Sequence, residues 1–461
     1  MKVVGLITEY NPFHNGHKYH IEEAKRITGA DYCIAVMSGN FVQRGTPAVI
    51  DKYSRAEMAI RNGVDIVFEL PVCYATASAE YFAHGAVSLL DKLGIVDTLC
   101  FGSECGDIEP LKKAAEFLLA PPAAFDRNLQ AFLKDGLTYP AARLKALEHS
   151  THMIENENSS DLSKILTEPN NILGIEYIKA LHHLSSSITP ITIQRKSAHY
   201  HNGNISNQKE YPDNRIKNDN IADSDFYKSN SFSTMIEDDD TEGDFVISSA
   251  TAIRNAIYNS SSNLDSANIL SDAKPSVPSD VYQYLIAHYL KTYPITEDDF
   301  SQIIKYKLLL EDSKSLTRYV DINSDLSERM KNNLNLNCSI SHLAHDLKTK
   351  NMTLTRINRA LIHLLLNIQT NDFHEYNENG YVNYARVLAV KKESSLLLRK
   401  ITKTERIPVI TKVTKADTQL DPLAFRMLSE DIFATHLYNQ AIYEKFHTEI
   451  ANEYKHGICL L

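Results

Sequence analysis

The stretch Met1-Lys-Val-Val-Gly-Leu-Ile-Thr-Glu-Tyr-Asn-Pro-Phe-His14-Asn-Gly-His17-Lys-Tyr-His20 decides the reading of this chain. Val3 to Thr8 is an apolar, β-branched run suited to a buried parallel strand. Asn11-Pro12 interrupts it, since proline has no N–H to give to a ladder. From His17 a helical pattern begins, with Ile21, Ala24 and Ile27 on one face and Glu22, Glu23, Lys25 and Arg26 on the other. Strand, tight turn and helix start together aim free backbone N–H groups and a positive dipole end at one point, which is the geometry of an anion site. His14 and His17 sit in that turn, and Gly16 between them lets a ligand approach the backbone. Two histidines near a turn are ordinarily surface residues, and H-x-x-H spacing also fits a metal site. No third ligand lies at a local spacing, however, and ligands of α/β sheets bind where strands end.

Working outward, Tyr32 to Ser38 reads as a second buried strand that runs into the glycine-bracketed loop Gly39 to Gly45. A capped helix follows from Asp51 to Gly63, then strands at Asp65–Leu70 and Thr98–Phe101 separated by a helix over Ala79–Leu93. Residues 107–149 read as two or three amphipathic helices, Pro169 to about His183 as another helix, and Pro190–Arg195 as a fifth strand. Strands alternating with helices of ten to sixteen residues imply an α/β fold with a parallel sheet. Residues 202–245 carry eleven acids against four bases and few apolar residues, so a disordered or loosely ordered surface insertion is expected. Order resumes at Ser248-Ser-Ala-Thr-Ala-Ile-Arg254, a capped helix start.

Around Pro275-Ser-Val-Pro-Ser279 the pattern turns helical. Helices are expected at Asp280–Tyr289, Asp298–Leu310, Leu326–Asn335, Ser341–Leu347, Thr355–Leu366, Ala385–Lys400 and about Asp431–Tyr454, with a short strand at Pro408–Thr411. The division expected is residues 1–270 as an α/β domain and 275–461 as a mostly α-helical domain. Of 461 residues, 24 are tyrosine and none is tryptophan. The six cysteines form no C-x-x-C pair or disulfide-like framework, and no apolar run reaches the ~18 residues of a membrane span. A cytoplasmic protein without membrane contact is the expectation. The net charge of −10 conceals a basic run: Ala385 to Lys415 holds nine bases against two acids. By itself such a run decorates a solvated helix face, although its distribution keeps a nucleic-acid partner open despite the acidic net charge.

Four further stretches line up with the opening one. Ser38-Gly39-Asn40-Phe41 follows the second strand, Gly102-Ser103 the fourth, Arg195 ends the fifth, and Ser248 to Arg254 opens a helix. This order resembles the (H/T)-x-G-H nucleotidyltransferase superfamily, whose histidines contact ATP phosphates. The fuller set I-T-E-Y-N-P-F-H-N-G-H, S-G-N-F-V-Q-R-G-T-P-A, F-E-L-P, F-G-S-E, P-N-N-I-L-G-I-E-Y and S-A-T-A-I-R resembles the tRNA(Met) cytidine acetate ligase family, over essentially the whole chain except 202–245. Looser likeness continues at Thr355-Arg356-Ile357-x-Arg359, Tyr384-Ala-Arg386-Val-Leu and Ile407-Pro408-Val-Ile.

The resemblance implies a Rossmann-like nucleotidyltransferase domain followed by a helical tRNA-binding domain. It implies an enzyme that adenylates acetate with ATP and acetylates the wobble cytidine in the anticodon loop of elongator tRNA(Met), giving N4-acetylcytidine. Carried onto this sequence, the ATP contacts are Ile7, Thr8, Glu9, Tyr10, Asn11, Pro12, Phe13, His14, Asn15, Gly16, His17, Lys18, Tyr19, His20, Gly102, Asn170 and Arg195, with Asn171 an alternative to Asn170. His14 and His17 are the catalytic pair. Mg²⁺ is expected with the triphosphate, although no residue stands out as its ligand, nor any as the base for acetyl transfer. A Q/R-x-x-G-x-G/A loop for acetyl-CoA is absent. The rival readings are a small-molecule adenylyltransferase, which has no need of the basic helical region, and a non-catalytic RNA-binding module, which leaves the histidine turn unexplained. Nothing in the sequence sets the oligomeric state.

Overall fold

The computed structural model describes residues 1–135, 165–195, 233–236, 245–260 and 270–461, with a few positions between 137 and 149. Eight strands build one sheet: β1 (Val3–Thr8), β2 (Tyr32–Ser38), β3 (Ile66–Leu70), β4 (Thr98–Ser103), β5 (Thr189–Gln194), β6 (Ala385–Val390), β7 (Val409–Ile410) and β8 (Cys459–Leu460). Their order is β7-β6-β3-β2-β1-β4-β5, with β8 also on β6. β1 to β5 are mutually parallel, and β6 joins β3 antiparallel through Arg386↔Glu69 and Val390↔Ile66. β1 to β4 are largely apolar on both faces because both are covered, while β5 at the edge is only partly buried. Alternation sends Val3, Ile34, Phe68 and Phe101 to one core and Val4, Leu6, Cys33, Val67 and Cys100 to the other.

One face carries α1 (Asn15–Thr28) and α2 (Lys52–Arg61); the other carries α3 (Ala79–Lys92) and α4 (Pro169–His183) and merges with the helical C-terminal region. Asp51 caps α2 by accepting from the N–H groups of Tyr53 and Ser54, both at 3.0 Å. α1 stops at Gly29, in the left-handed region with φ 62°. Its inner face is Ile21 and Ala24, whereas Ile27, expected beside them, is exposed.

The C-terminal region departs from expectation in one place that matters. Ala385–Lys400 is not a single helix: Ala385–Val390 is the buried strand β6, and the helix α7 spans Ser395–Thr404. A run as short as Ala-Arg-Val-Leu-Ala-Val fits a buried strand as well as a helix, and periodicity cannot separate them. The final helix, α8, runs Pro422–Phe446 rather than from Asp431, because Asp421 caps it and Pro422 takes the first turn. A further helix at Thr370–Glu378 had no clear signal. Within the insertion, Ser233–Ile236 pairs antiparallel with Phe245–Ser248; the remainder of 202–244 lies outside the described residues.

Candidate active site

All five parallel strands end on one edge, and the expected site residues gather there. Ile7 and Thr8 close β1, Glu9 to Phe13 form the turn, His14 caps α1, and Asn15 to His20 make its first turns. Gly102 lies on β4, Asn170 in the first turn of α4, and Arg195 directly after β5.

The turn is held from several sides. Tyr10 takes φ 48°, a left-handed conformation a tyrosine adopts only when its surroundings enforce it. The Asn11 carbonyl accepts from Arg254 at 2.8 Å, the Asn11 side chain accepts from the Val49 N–H at 2.8 Å, and the Glu9 carbonyl accepts from buried Arg55 at 2.5 Å. The His14 and His17 rings stack with centroids 3.6 Å apart. A Cβ at Gly16 would stand 3.0 Å from the His14 ring, so glycine is what allows the stack. His17 Nδ1 accepts from the His14 backbone N–H at 3.3 Å, which leaves the proton of a neutral His17 on Nε2, a donor without a hydrogen-bond partner among the described residues. His14 Nδ1 is buried without a hydrogen-bond partner among the described residues.

The helix starts at this edge are not equivalent. Glu104 occupies the start of α4, accepting from the Asn171 N–H at 2.9 Å and the Asn170 side-chain amide at 2.5 Å. α1 and α5 (Ala250–Ser260) have no acidic residue in their first turns, so their positive ends remain available to a foreign anion. Asn170 also accepts from Arg195 Nη1 at 2.9 Å, while the Asn171 oxygen is committed to the N–H groups of Glu104 and Cys105. Of the two asparagines, only Asn170 therefore faces the arginine. A side chain at Gly102 would meet Arg195 Cγ at 3.1 Å, so this glycine sets how closely the arginine lies on β4. Some expected contacts point elsewhere: Asn15 donates to the Pro275 carbonyl at 3.0 Å, and His20 Nε2 lies 3.6 Å from Cys100 Sγ.

Sequence reasoning passed over Arg44, which lies close enough to Arg195 and Arg254 to repel both. No local pattern marks a single loop arginine. Among the described residues no group of three or more His, Cys, Asp or Glu side chains is placed to hold a metal ion.

A family model described as HIGH Nucleotidyl Transferase matches residues 1–216 and 233–453. The tRNA(Met) cytidine acetate ligase of Thermoanaerobacter sp. (strain X514) is 38% identical over 442 residues, which cover 96% of each chain. That of Alkaliphilus metalliredigens is 36% identical over 453 residues, 96% of this chain and 95% of the relative. The chain belongs to the tRNA(Met) cytidine acetate ligase family. Thermotoga maritima TmcAL, solved with alpha-thio ATP bound, superposes over 100% of both chains with a TM-score of 0.82 at 29% identity.

In this member of the tRNA(Met) cytidine acetate ligase family the site histidines are held neutral. Burial, reinforced by Arg195 and Arg254, pushes His14 down to about 3; burial and the neighbouring His14 lower His17; burial and Arg195 bring His20 to about 4. A folded pKa below the unfolded value of 6.5 means stability that is complete above pH 6.5 and is lost as pH falls toward the folded value. Unliganded protein should therefore lose up to about 1.4 kcal/mol per pH unit through His14 alone on acidification below that point. Thermal unfolding between pH 7.5 and 5 checks this: His14→Asn should flatten the dependence, and an unchanged slope would refute it.

Proposed function

We propose that the protein is an ATP-dependent ligase that joins acetate to the exocyclic amine of the wobble cytidine of elongator tRNA(Met) through acetyl-adenylate. The observation that carries this reading is the near end-to-end match to ligases bearing that name, and the strand–turn–helix around His14 and His17 has the geometry of an anion site. A carboxylate oxygen of acetate attacks the α-phosphorus of ATP, and the bond to the bridging oxygen breaks with pyrophosphate leaving. The cytosine amine, a poor nucleophile because its lone pair is delocalised, then attacks the acetyl carbonyl and AMP departs. The first step needs positioning and charge stabilisation more than covalent help. His17 Nε2–H, the start of α1, Arg195 and Arg254 are the groups to supply it, His14 holding His17 in place; Asn170 positions Arg195. Mg²⁺ would arrive with the nucleotide and add charge neutralisation. A cytoplasmic location goes with these substrates; no helix among the described residues is long and apolar enough to cross a membrane.

The chemistry divides by region: 1–270 supplies the ATP and acetate side and 275–461 the tRNA side, although β6 to β8 of the latter complete the sheet. The basic run is not one surface. Arg386 is buried, while Lys392, Arg399 and Lys400 are exposed. Because β6 runs against β3, the Lys391 N–H bonds the Asp65 carbonyl and Lys400 reaches Met1 Sδ, both at the amino ends of the parallel strands. That edge is one strand length, about 20 Å, from the histidine turn. The anticodon loop, single-stranded and able to splay its base, enters at the carboxyl edge. The exposed cations hold phosphates of a more distant part of the RNA.

The test is incubation with ATP and labelled acetate, with and without unmodified tRNA. Label should appear in an AMP ester without tRNA and in RNA when tRNA is present; label in neither would end the reading. Charge reversal at Lys391, Lys392, Arg399 and Lys400 together should raise the KM for tRNA by about tenfold or more and flatten its salt dependence. Acetate-dependent pyrophosphate exchange should be spared. Normal tRNA binding by this variant would place the RNA elsewhere.

A further inference from the structure

The Gly39–Gly45 loop ends in a small hairpin whose strands are Phe41–Val42 and Thr46–Pro47. It is tied to the histidine turn, since the Gln43 N–H donates to the Glu9 carboxylate at 2.8 Å. It is also pressed on the helical region. Gly45 takes φ 75°, and a Cβ there would fall 2.2 Å from the backbone nitrogen of Arg359 in α6 (Leu354–Leu366). Between these two anchors Arg44 is exposed, and its guanidinium has no hydrogen bond or ion pair to a described residue. Arg195 and Arg254, by contrast, have fixed partners in Asn170 and the Asn11 carbonyl.

Arg44 thus stands near enough to Arg195 and Arg254 to repel both, while Glu104 attracts Arg195 and Glu9 and Glu297 attract Arg254. No carboxylate among the described residues pairs with Arg44 itself, because Glu104 accepts from the start of α4 and Glu9 from the hairpin. Like charges gathered this way cost free energy unless an anion of higher charge sits among them. Arginine suits that role because its planar fork matches phosphate oxygens two at a time.

We propose that Arg44 binds the departing pyrophosphate of ATP, a third arginine on the β- and γ-phosphates beside Arg195 and Arg254. This rests on the adenylation reading above. As the α-phosphorus accepts the acetate oxygen, the electron pair of the breaking bond passes to the bridging oxygen of pyrophosphate, and Arg44 stabilises the charge that grows there. Its hairpin lies against α6, so the arginine is in place only when the helical region is docked on the nucleotide side.

The experiment is acetate-dependent exchange of labelled pyrophosphate into ATP by wild type, Arg44→Ala and Arg44→Lys. Pyrophosphate inhibition, AMP affinity, tRNA affinity at fixed salt and thermal stability are measured alongside. Arg44→Ala should lower exchange on the order of 10²-fold, as loss of one preorganised donor does. It should weaken pyrophosphate inhibition by about tenfold or more, as loss of a charge-assisted phosphate contact does. AMP, which lacks both distal phosphates, should bind as before, and so should tRNA. Arg44→Lys should recover part of the rate, keeping the charge but not the fork. Exchange in Arg44→Ala within about threefold of an active wild type overturns the assignment, as the loss of one phosphate contact is far larger. Weakened tRNA binding with intact exchange overturns it too, by making Arg44 part of the RNA surface. A wild type that gives no acetate-dependent exchange overturns the adenylation reading, and this proposal with it.

Discussion

His17→Ala should fold normally and lose acetate-dependent pyrophosphate exchange by on the order of 10²–10³-fold, the cost of removing a preorganised donor aimed at developing charge. His17 is the ring whose proton position is fixed: Nδ1 is engaged by the His14 N–H at 3.3 Å, so Nε2 carries the hydrogen. It is braced by the stacked His14 ring at 3.6 Å and by the Tyr10 ring, whose centroid lies 4.9 Å away. Truncation removes the donor and one wall of the His14 stack together. Because His17 lies half-buried in the first turn of α1, the helix itself tolerates alanine. Exchange is the right measurement, since it reports acetyl-adenylate formation without RNA. A wild-type exchange rate in this variant would sink the assignment of the turn.

That turn was legible because everything it needs is local. The strand Val3–Thr8, the interruption at Asn11-Pro12 and the glycine between two histidines lie within twenty residues, and a parallel sheet puts the ends of its other strands on the same edge. Gly102 and Arg195 reach that edge with their strands, whereas Asn170, at a helix start, follows only from the family resemblance. β6 was hidden for the opposite reason. Its pairing partner β3 is more than three hundred residues earlier in the chain, and a six-residue run of five apolar positions and Arg386 carries no decisive period. Asn170 and Asn171 differ only in three dimensions: Asn170 accepts from Arg195, while the Asn171 oxygen is held by the N–H groups of Glu104 and Cys105.

Arg386 shows how far a charge run can mislead, and its removal has the other large expected effect. In sequence it opens the basic stretch and reads as a phosphate contact. In the fold it is 4% exposed on β6, paired with Glu69 at 3.3 Å and with Glu453, and it donates to the Tyr53 hydroxyl at 2.8 Å. Lys52, with no exposure at all, bonds the same two carboxylates at 2.8 and 2.6 Å. Four buried charges therefore balance two against two, and they join the start of α2 and the end of β3 to both β6 and the segment after α8. Arg386→Ala leaves two buried carboxylates sharing one ammonium. Breaking such a pair from one side costs about 3–5 kcal/mol, because the orphaned charge stays out of water. The pH dependence carries a second signature. Lys52 and Arg386 hold Glu453 below the usual carboxylate range against burial. Its stabilisation is thus present above the unfolded carboxylate pKa and lost as pH falls through the folded one. The deficit of the variant should be greatest near neutrality and narrow below about pH 5, where Glu453 takes up a proton instead. Chemical unfolding across pH measures both. An RNA contact would behave otherwise: alanine would leave the unfolding midpoint unchanged, weaken tRNA binding and lower its salt slope by about one phosphate. That pattern would return Arg386 to the surface, and the buried network predicts its reverse.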